Sequence, residues 1–220
     1  MRAAREDDMG CRLTLLAAAL TIAAFAGAAA QEPKQAPTDI TKDAPKAAKP
    51  GGILRMYHRE TPGGISIHEE ATYSTNAPMM GVFNNLVIYD QHKPQNSLDT
   101  IVPELATSWS WNADKTQLTF LLRDGVKWHD GQPFTAKDVK CTWDMLRGVS
   151  QATFRKNPRK DWYENVSEVS LNGDNGVTFS LKRPQPSLLA MLASGYSPVY
   201  PCHVPPAQMR THPIGTGPYR

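Results

Sequence analysis

The sequence predicts a mixed α+β fold of the α/β class, because helix-like and strand-like segments follow one another along the chain. Three observations support this prediction: two alternating strands within residues 107–122, a hairpin signal within residues 166–181, and an amphipathic helix between them. With 40% hydrophobic and 20% charged residues, the composition is typical of a globular protein. The net charge of +3 is too small to favour nucleic acid as a partner.

The N-terminal residues predict secretion. Residues 13–30 form an apolar, alanine-rich run that ends in three alanines. This pattern predicts that residues 1–30 are a signal peptide and that it is cleaved after Ala30. The run is short for a membrane span. Met9 is an alternative start to Met1, because the acidic residues before it suit a signal peptide poorly. Residues 31–50 hold four Pro, four Lys and almost no large apolar side chain, which predicts a disordered lead-in.

Folded structure is predicted to start at Gly52. Residues 53–57 are mostly apolar and predict a first buried strand. The Pro-Gly-Gly of residues 62–64 ends this strand and opens a loop. Residues 73–86 predict a helix, with Pro78 near its start or breaking it.

The clearest local pattern lies in residues 103–146. Residues 107–111 and 117–122 predict two strands, with apolar side chains at alternate positions of the second. Gly125 and Gly131 each follow an Asp and predict tight turns, because glycine tolerates a positive φ. Residues 126–128 predict a short third strand between these turns.

A helix is predicted to begin after Thr135 and to end at Gly148. Asp138 is the acidic counterpart of a capping box with Thr135, and Gly148 stands where a C-terminal cap belongs. Trp143 lies on the apolar face of this helix, and Trp109 on the apolar face of the strand at residues 107–111. Both tryptophans are therefore expected in the core rather than in an aromatic cleft.

The second half of the chain contains a basic cluster and a hairpin. Residues 155–160 hold four basic side chains, and the cluster is interpreted as a solvated loop. Residues 166–171 and 177–181 flank an Asn-Gly-Asp-Asn-Gly run and predict a hairpin. Two prolines end the hairpin ahead of a short predicted helix, residues 187–193.

Two cysteines, Cys141 and Cys202, remain after removal of residues 1–30. Cys141 lies mid-helix beside buried positions, and nothing in the sequence brings Cys202 near it, so a free, packed Cys141 is expected. A disulfide is the alternative in an oxidising compartment. The chain has neither C-x-x-C spacing nor His-rich metal spacing, so no metal and no cofactor is predicted.

No catalytic constellation is evident in the sequence. His129 stands beside Asp130, but adjacent residues on a turn do not face each other as a base and its orienting group would. Both are expected to fix the turn before the helix. Nucleophile elbows, H-E-x-x-H helices and glycine-rich phosphate loops are absent from the sequence. A Pro follows Gly215-x-Gly217, which favours a tight strand entry over phosphate binding, and the protein is predicted not to be an enzyme.

Two motifs carry a resemblance to a known family. The first is P-E-L-A-x-S-W at residues 103–109, followed by L-T-F-x-L-R-x-G-V-K-W-H-D-G-x-P-F-T-A-x-D-V at residues 118–139. The second is P-I-G-T-G-P-Y at residues 213–219. Both are similar to the signature regions of extracellular solute-binding family 5, the receptors of peptide and nickel ABC transporters. The motif residues assigned a structural role are Trp109, Gly125, Trp128, Asp130, Gly131, Thr135, Asp138, Gly215 and Gly217.

The resemblance implies a two-lobed fold similar to the type II periplasmic binding proteins. Residues 51–85 correspond to the first part of lobe I, residues 86–200 to a small β-rich domain, and residues 201–220 to the return to lobe I. Members of the family run well beyond the second motif. The chain is therefore expected to be an N-terminal fragment, truncated before the lobe that supplies the opposing wall of the ligand cleft.

The resemblance implies the function of a periplasmic substrate-binding component of an ABC importer. An oligopeptide or dipeptide is the expected solute, and hinge closure the expected mechanism. The expected partners are this small-molecule or peptide ligand and an ABC permease in the inner membrane, with no nucleic acid and a monomeric state. By position alone, Tyr57, Glu60, Thr61 and His68 are candidate ligand contacts; the alternative is that they are surface-loop residues.

Three alternatives to a transport receptor remain. An enzyme on a similar fold would need a catalytic pair that these residues lack. A non-transport interaction module or chaperone-like module would use residues 86–200 by themselves. The third alternative is an inactive fragment of such a receptor.

Overall fold

The computed structural model of the protein describes residues 53, 55 and 57–220. The predicted signal peptide and lead-in, residues 1–50, lie outside the described residues. The predicted first strand is wrong for the part that is described, because Ile53 and Tyr57 are 83% and 91% exposed and belong to no strand. A strand needs a neighbouring backbone for its hydrogen bonds, and no described strand pairs with this segment.

A four-stranded antiparallel sheet organises much of the described chain, with strands in the order β3-β4-β6-β5. Its strands are β3, Ala106–Trp111; β4, Gln117–Leu122; β5, Val166–Leu171; and β6, Gly176–Leu181. The two predicted strands of residues 107–122 and the predicted hairpin are confirmed. In β4, Leu118, Phe120 and Leu122 are buried and alternate with more exposed residues, as a period of two requires.

Helix α2, Ala136–Arg147, packs on this sheet through β5 and β6. Trp143 is fully buried, and its ring meets Phe179 and Tyr163 edge-to-face, with centroids 5.1 and 6.1 Å away. Trp109 of β3 is half-buried against the same core. Both tryptophans therefore pack with the core as expected, Trp143 completely and Trp109 in part.

The ends of α2 follow the predicted chemistry. The backbone N–H of Thr135 donates to Asp138 Oδ2 at 2.8 Å, so the capping box is confirmed. Gly148 ends the helix with a φ of +75°. Gly125 and Gly131 also have positive φ, +72° and +88°, which confirms the two predicted turns before the helix.

The predicted third strand, residues 126–128, is wrong. Lys127 forms an isolated bridge with Pro133, and no ladder extends from it. The turns on both sides leave too few residues between them for a ladder. Trp128 of this segment is 2% exposed and lies edge-to-face on Phe134 at 5.9 Å, so the loop contributes to the core.

The remaining elements are short. Helix α1 spans Tyr73–Met79, helix α3 spans Ser187–Leu192, and a separate antiparallel pair joins β1, Val87–Tyr89, to β2, Ile101–Pro103. Single 3₁₀ turns occupy Leu98–Thr100, Lys160–Tyr163 and Gln208–Arg210. The helix predicted at residues 187–193 is confirmed. No helix among the described residues combines the length and apolar character needed to cross a membrane.

Helix α1 ends well before the predicted residue 86. Pro78 lies inside it and has no N–H for the carbonyl of Ser74. His58 Nε2 lies 2.9 Å from that oxygen and satisfies it instead. Beyond the helix, the carbonyls of residues 81 and 82 accept hydrogen bonds from the second motif, so the chain leaves the helix to pair with it.

The expectation of a free Cys141 is wrong: Cys141 and Cys202 form a disulfide, with Cα atoms 5.7 Å apart. The pairing depends on contacts between residues far apart in the sequence. Asp138 Oδ1 accepts the N–H of Cys202 at 2.8 Å, and Thr142 Oγ1 accepts the N–H of Tyr200 at 2.9 Å. These bonds lay the segment around Cys202 along α2 and bring the two sulfurs together.

Candidate functional site

The predicted ligand contacts belong to the segment of residues 57–70. Tyr57 is 91% exposed, and Glu60 and Thr61 are exposed as well. With the described residues, these three side chains make neither a hydrogen bond nor an ion pair. Their polar groups are therefore available to a solute as far as the described chain is concerned.

His68, the fourth predicted contact, lies inside the core. Its side chain is fully buried against Phe154 and Tyr200, with ring centroids 5.4 and 4.3 Å away. Its Nε2 lies 2.8 Å from the carbonyl oxygen of Pro198, and its Nδ1 has no hydrogen-bond partner among the described residues. A solute would reach this ring after a movement of the chain around it. Through this contact, the ring links residues 65–70, called the 65–70 segment below, to Pro198.

We expect acid to destabilise the protein through His68. Desolvation by burial, with the charge of Arg159 nearby, lowers the pKa of His68 from 6.5 to about 3. Between these values the unfolded chain binds a proton that the folded chain does not. The free energy of unfolding should therefore fall as the pH drops from 6.5 towards 3, by up to about 1.4 kcal/mol per pH unit. Urea unfolding across this pH range measures the slope.

Two variants separate His68 from other titrating groups. His68→Gln removes the buried imidazole and should flatten this slope, with some loss of stability at neutral pH. His92→Gln, at an exposed histidine, should leave the slope unchanged. If the free energy of unfolding of His68→Gln depended on pH as steeply as that of the wild type, His68 would not be the cause of the pH dependence.

Glu69 anchors the 65–70 segment from a second side. Its buried carboxylate accepts hydrogen bonds from Arg210 at 2.6 and 2.9 Å and from the backbone N–H of Arg155. Burial by itself would raise the pKa of Glu69. These hydrogen bonds and the charge of Arg210 outweigh burial and hold the pKa of Glu69 below its ordinary value. Glu69 is thus a charged link between the segment and two later parts of the chain.

Arg159 is a residue of this region that the sequence interpretation missed. The prediction of a solvated loop for residues 155–160 is wrong for Arg159, which is 2% exposed. Its Nη1 donates to the carbonyl of Ile67 at 2.8 Å, and its Nη2 donates to the carbonyl of Glu70. The sequence holds no signal that distinguishes this arginine from the basic residues around it, since the difference lies in tertiary contacts.

The second motif crosses the preceding chain at close range. The N–H of His129 donates to the carbonyl of Gly215 at 2.9 Å, and the N–H of Gly217 donates to the carbonyl of Val82 at 2.9 Å. A Cβ at Gly215 would lie 1.9 Å from Val82 O, and one at Gly217 would lie 2.5 Å from Gly81 O. Residues 211–220 lie in no strand, so the predicted strand entry stays a prediction. The glycines permit close contact between backbones.

His129 and Asp130 have separate partners. His129 Nδ1 accepts the N–H of Gly215 at 3.3 Å, which assigns the ring proton to Nε2, and Nε2 donates to the carbonyl of Gly217 at 2.8 Å. Asp130 Oδ2 lies 2.7 Å from Nε2 of His203. The two side chains therefore hold the turn against different segments and do not form a base with its orienting carboxylate.

A chain of polar contacts joins the two motifs. Glu104 of the first motif accepts hydrogen bonds from Asn84 Nδ2 at 2.6 Å and from the N–H of Asn85 at 2.7 Å. Thr216 of the second motif donates to Asn84 Oδ1 at 2.8 Å. Burial raises the pKa of Glu104 in spite of these hydrogen bonds. The two motifs thus meet at Asn84.

The hollows in the described chain include two that none of the predicted contacts lines. One, of about 330 Å³, lies on the surface at the end of α2, and the other, of about 20 Å³, lies beside Glu104. Tyr57, Glu60 and Thr61 line neither of them. Within the described residues, no group of three or more His, Cys, Asp or Glu side chains is placed to hold a metal ion.

Known proteins resemble this chain in sequence. The family model of the bacterial extracellular solute-binding proteins, family 5 Middle, matches residues 100–220. A Brucella ovis protein named as an ABC transporter peptide-binding protein is 35% identical over 149 residues, which cover 63% of this chain and 26% of that protein. The dipeptide-binding protein of Escherichia coli is 32% identical over 141 residues, which cover 54% of this chain and 26% of that protein.

A solved structure agrees with the fold. The binding protein MoaA from A.tumefacien R10, in complex with mannopinic acid, is similar with a TM-score of 0.63 and 25% identity, over 74% of this chain and 33% of that chain. The predicted fold class, mixed α/β and similar to the type II periplasmic binding proteins, is confirmed. This chain spans about a quarter of the length of the curated relatives it matches. The family model covers more than half of the chain, including all of the first motif and all of the second, and the chain therefore belongs to the bacterial extracellular solute-binding proteins of family 5.

Proposed function

We propose that the protein is the periplasmic solute-binding component of an ABC importer and that its solute is a dipeptide or an oligopeptide. The observation that carries the proposal is membership of a solute-binding family, together with relatives that are named for peptide binding. The role is binding followed by hinge closure, with no reaction catalysed. A monomer would present the closed form to a permease in the inner membrane.

Tyr57, Glu60 and Thr61 are our candidates for solute contact. Their exposure and their lack of described side-chain partners support this choice. The carboxylate of Glu60 suits the ammonium group of a peptide, because charge-assisted hydrogen bonds are the stronger ones. His68 belongs to the same candidate set by its position in the sequence, and its contact with a solute would require the 65–70 segment to open.

We place the mature protein in the periplasm, with the signal peptide cleaved after Ala30. The Cys141–Cys202 disulfide supports this location, because disulfides persist in oxidising compartments and are rare in the cytosol. N-terminal sequencing of the protein from a periplasmic fraction should start at Gln31. An uncleaved N-terminus in the cytosolic fraction would contradict this location.

Thermal unfolding in the presence of solutes tests the function. The sample is the protein purified from the periplasmic fraction, and the panel contains dipeptides, tripeptides, free amino acids and mannopinic acid. We expect stabilisation by at least one peptide, since a ligand at one hundred times its Kd adds about 2.7 kcal/mol. Stabilisation by mannopinic acid and by no peptide would overturn the choice of solute. Stabilisation by no panel member would overturn the proposed function.

One variant tests the predicted contact in the same experiment. Glu60→Gln should weaken dipeptide binding by about tenfold or more, because a hydrogen bond to a charged group contributes about 1.5–3 kcal/mol. It should leave the Tm of the unliganded protein unchanged, since the side chain has no described partner. Glu168→Gln, at an exposed glutamate of β5, is the matched control and should alter neither quantity. If the two variants bound the dipeptide with equal affinity, Glu60 would not be a solute contact.

A further inference from the structure

We propose that Arg159 is a positioning residue for solute binding. It fixes the 65–70 segment and, through that segment, the surface that carries Glu60 and Thr61. The proposal rests on the proposed function, because it assumes that this surface faces the solute. Arg159 is 2% exposed, so it acts through the segment and does not touch the solute.

The guanidinium of Arg159 holds both ends of one turn. Residues 67–69 form the turn; Nη1 donates to the carbonyl of Ile67 at 2.8 Å, and Nη2 donates to the carbonyl of Glu70. A guanidinium presents its N–H groups in a fixed planar fork, whereas an ammonium group is a compact point charge. The fork spans two carbonyl oxygens at once, so Arg159 sets the spacing between the ends of the turn.

The surroundings of Arg159 indicate a geometric role. No carboxylate among the described residues forms an ion pair with it. Its guanidinium carbon lies 4.7 Å from the ring centroid of Tyr196 and 5.8 Å from that of Trp162. A buried cation without a carboxylate partner is unfavourable unless other polar contacts compensate. Two carbonyl oxygens and two ring faces provide that compensation and hold the side chain in one orientation.

The turn is continuous with the predicted contacts. Glu60 and Thr61 come shortly before it, and between them and the turn Thr75 Oγ1 donates to the carbonyl of Gly64 at 3.0 Å. The chain from Thr61 to the turn is therefore held by α1 at one point and by Arg159 at the next. The bonds of His68 and Glu69 add to this anchoring at the centre of the turn. Loss of Arg159 should loosen the ends of the turn, whose carbonyls it holds.

Amide hydrogen exchange tests the positioning without any ligand. In Arg159→Met, the amides of residues 65–70 should exchange at least about tenfold faster, while those of β4 and β6 keep their wild-type rates. Arg159→Lys keeps the charge but not the fork, so it should resemble Arg159→Met. Arg147→Met is the matched control, because Arg147 donates to the carbonyls of Val166 and Ser167 and to none in the 65–70 segment. It should leave exchange at residues 65–70 unchanged.

Dipeptide titration of the same variants completes the test. We expect affinity for a dipeptide that stabilises the wild type to fall at least about tenfold in both Arg159 variants and less than about twofold in Arg147→Met. Wild-type exchange in Arg159→Met, or wild-type behaviour of Arg159→Lys, would overturn the geometric role. Faster exchange with unchanged affinity would overturn the link to solute binding. Failure of the wild type to bind any member of the solute panel would count against the proposed function, whereas the exchange rates would still test whether Arg159 holds the turn.

Discussion

Reduction of the Cys141–Cys202 disulfide should lower the free energy of unfolding by about 2–4 kcal/mol. The two cysteines are 61 positions apart, so the bond closes a long loop and restricts the unfolded chain. In the folded chain, it fastens the segment after Tyr200 to α2, next to the hydrogen bonds of Asp138 and Thr142. Urea unfolding with and without a reductant measures the difference.

The double variant Cys141→Ser with Cys202→Ser is the control for this prediction. It should have the stability of the reduced protein and no response to the reductant. Because the hydrogen bonds of Asp138 and Thr142 remain, we expect it to fold. Two free thiols per mature chain in the untreated protein, or equal stability with and without reductant, would contradict the disulfide.

Gly215→Ala should destabilise the protein by about 3 kcal/mol, the upper end of the usual effect of overpacking. The new Cβ would lie 1.9 Å from Val82 O and 3.1 Å from Phe83 Cδ1. The first of these contacts is with backbone, which cannot turn aside as a flexible side chain can. The second motif would have to move away from residues 81–83, and the hydrogen bond from the N–H of Gly217 to Val82 O would be lost. Urea unfolding gives the change in stability.

Gly63→Ala is the matched control for Gly215→Ala. Gly63 is exposed, and the nearest atom to a Cβ there is Glu70 Oε2 at 3.8 Å, an ordinary contact. We expect a change within about 0.5 kcal/mol, as is usual for surface substitutions. If Gly215→Ala were as stable as Gly63→Ala, the close crossing at the second motif would not exist in solution. Limited proteolysis near residue 212 would show whether the crossing opens while the rest stays folded.

The elements that were predicted correctly have their causes within a few neighbouring residues. The alternation of Leu118, Phe120 and Leu122 is enough to predict β4 and its buried face. Thr135, Asp138 and Gly148 predict both ends of α2, because each end is capped by a residue next to it. By contrast, the hydrophobic run at residues 53–57 resembles a strand, but a strand also requires a pairing partner, which local sequence does not reveal.

The candidate site was predicted in outline. Resemblance to the family drew attention to the segment that begins at Tyr57, but the anchors of that segment had no signal. Arg159 stands among other basic residues, and His68 has the same sequence context whether buried or exposed. Their roles depend on Pro198, Glu70 and other groups that folding brings near from distant positions.

The sequence by itself determined the strands of the main sheet, the capped helix α2, the turns at Gly125 and Gly131, and the family. Tertiary structure alone decided the pairing of Cys141 with Cys202 and the burial of Arg159. The physical reason is the range of the interactions. Periodicity, capping and turn preferences act over a few residues, whereas disulfide pairing and the burial of charge depend on segments that meet after the chain has folded.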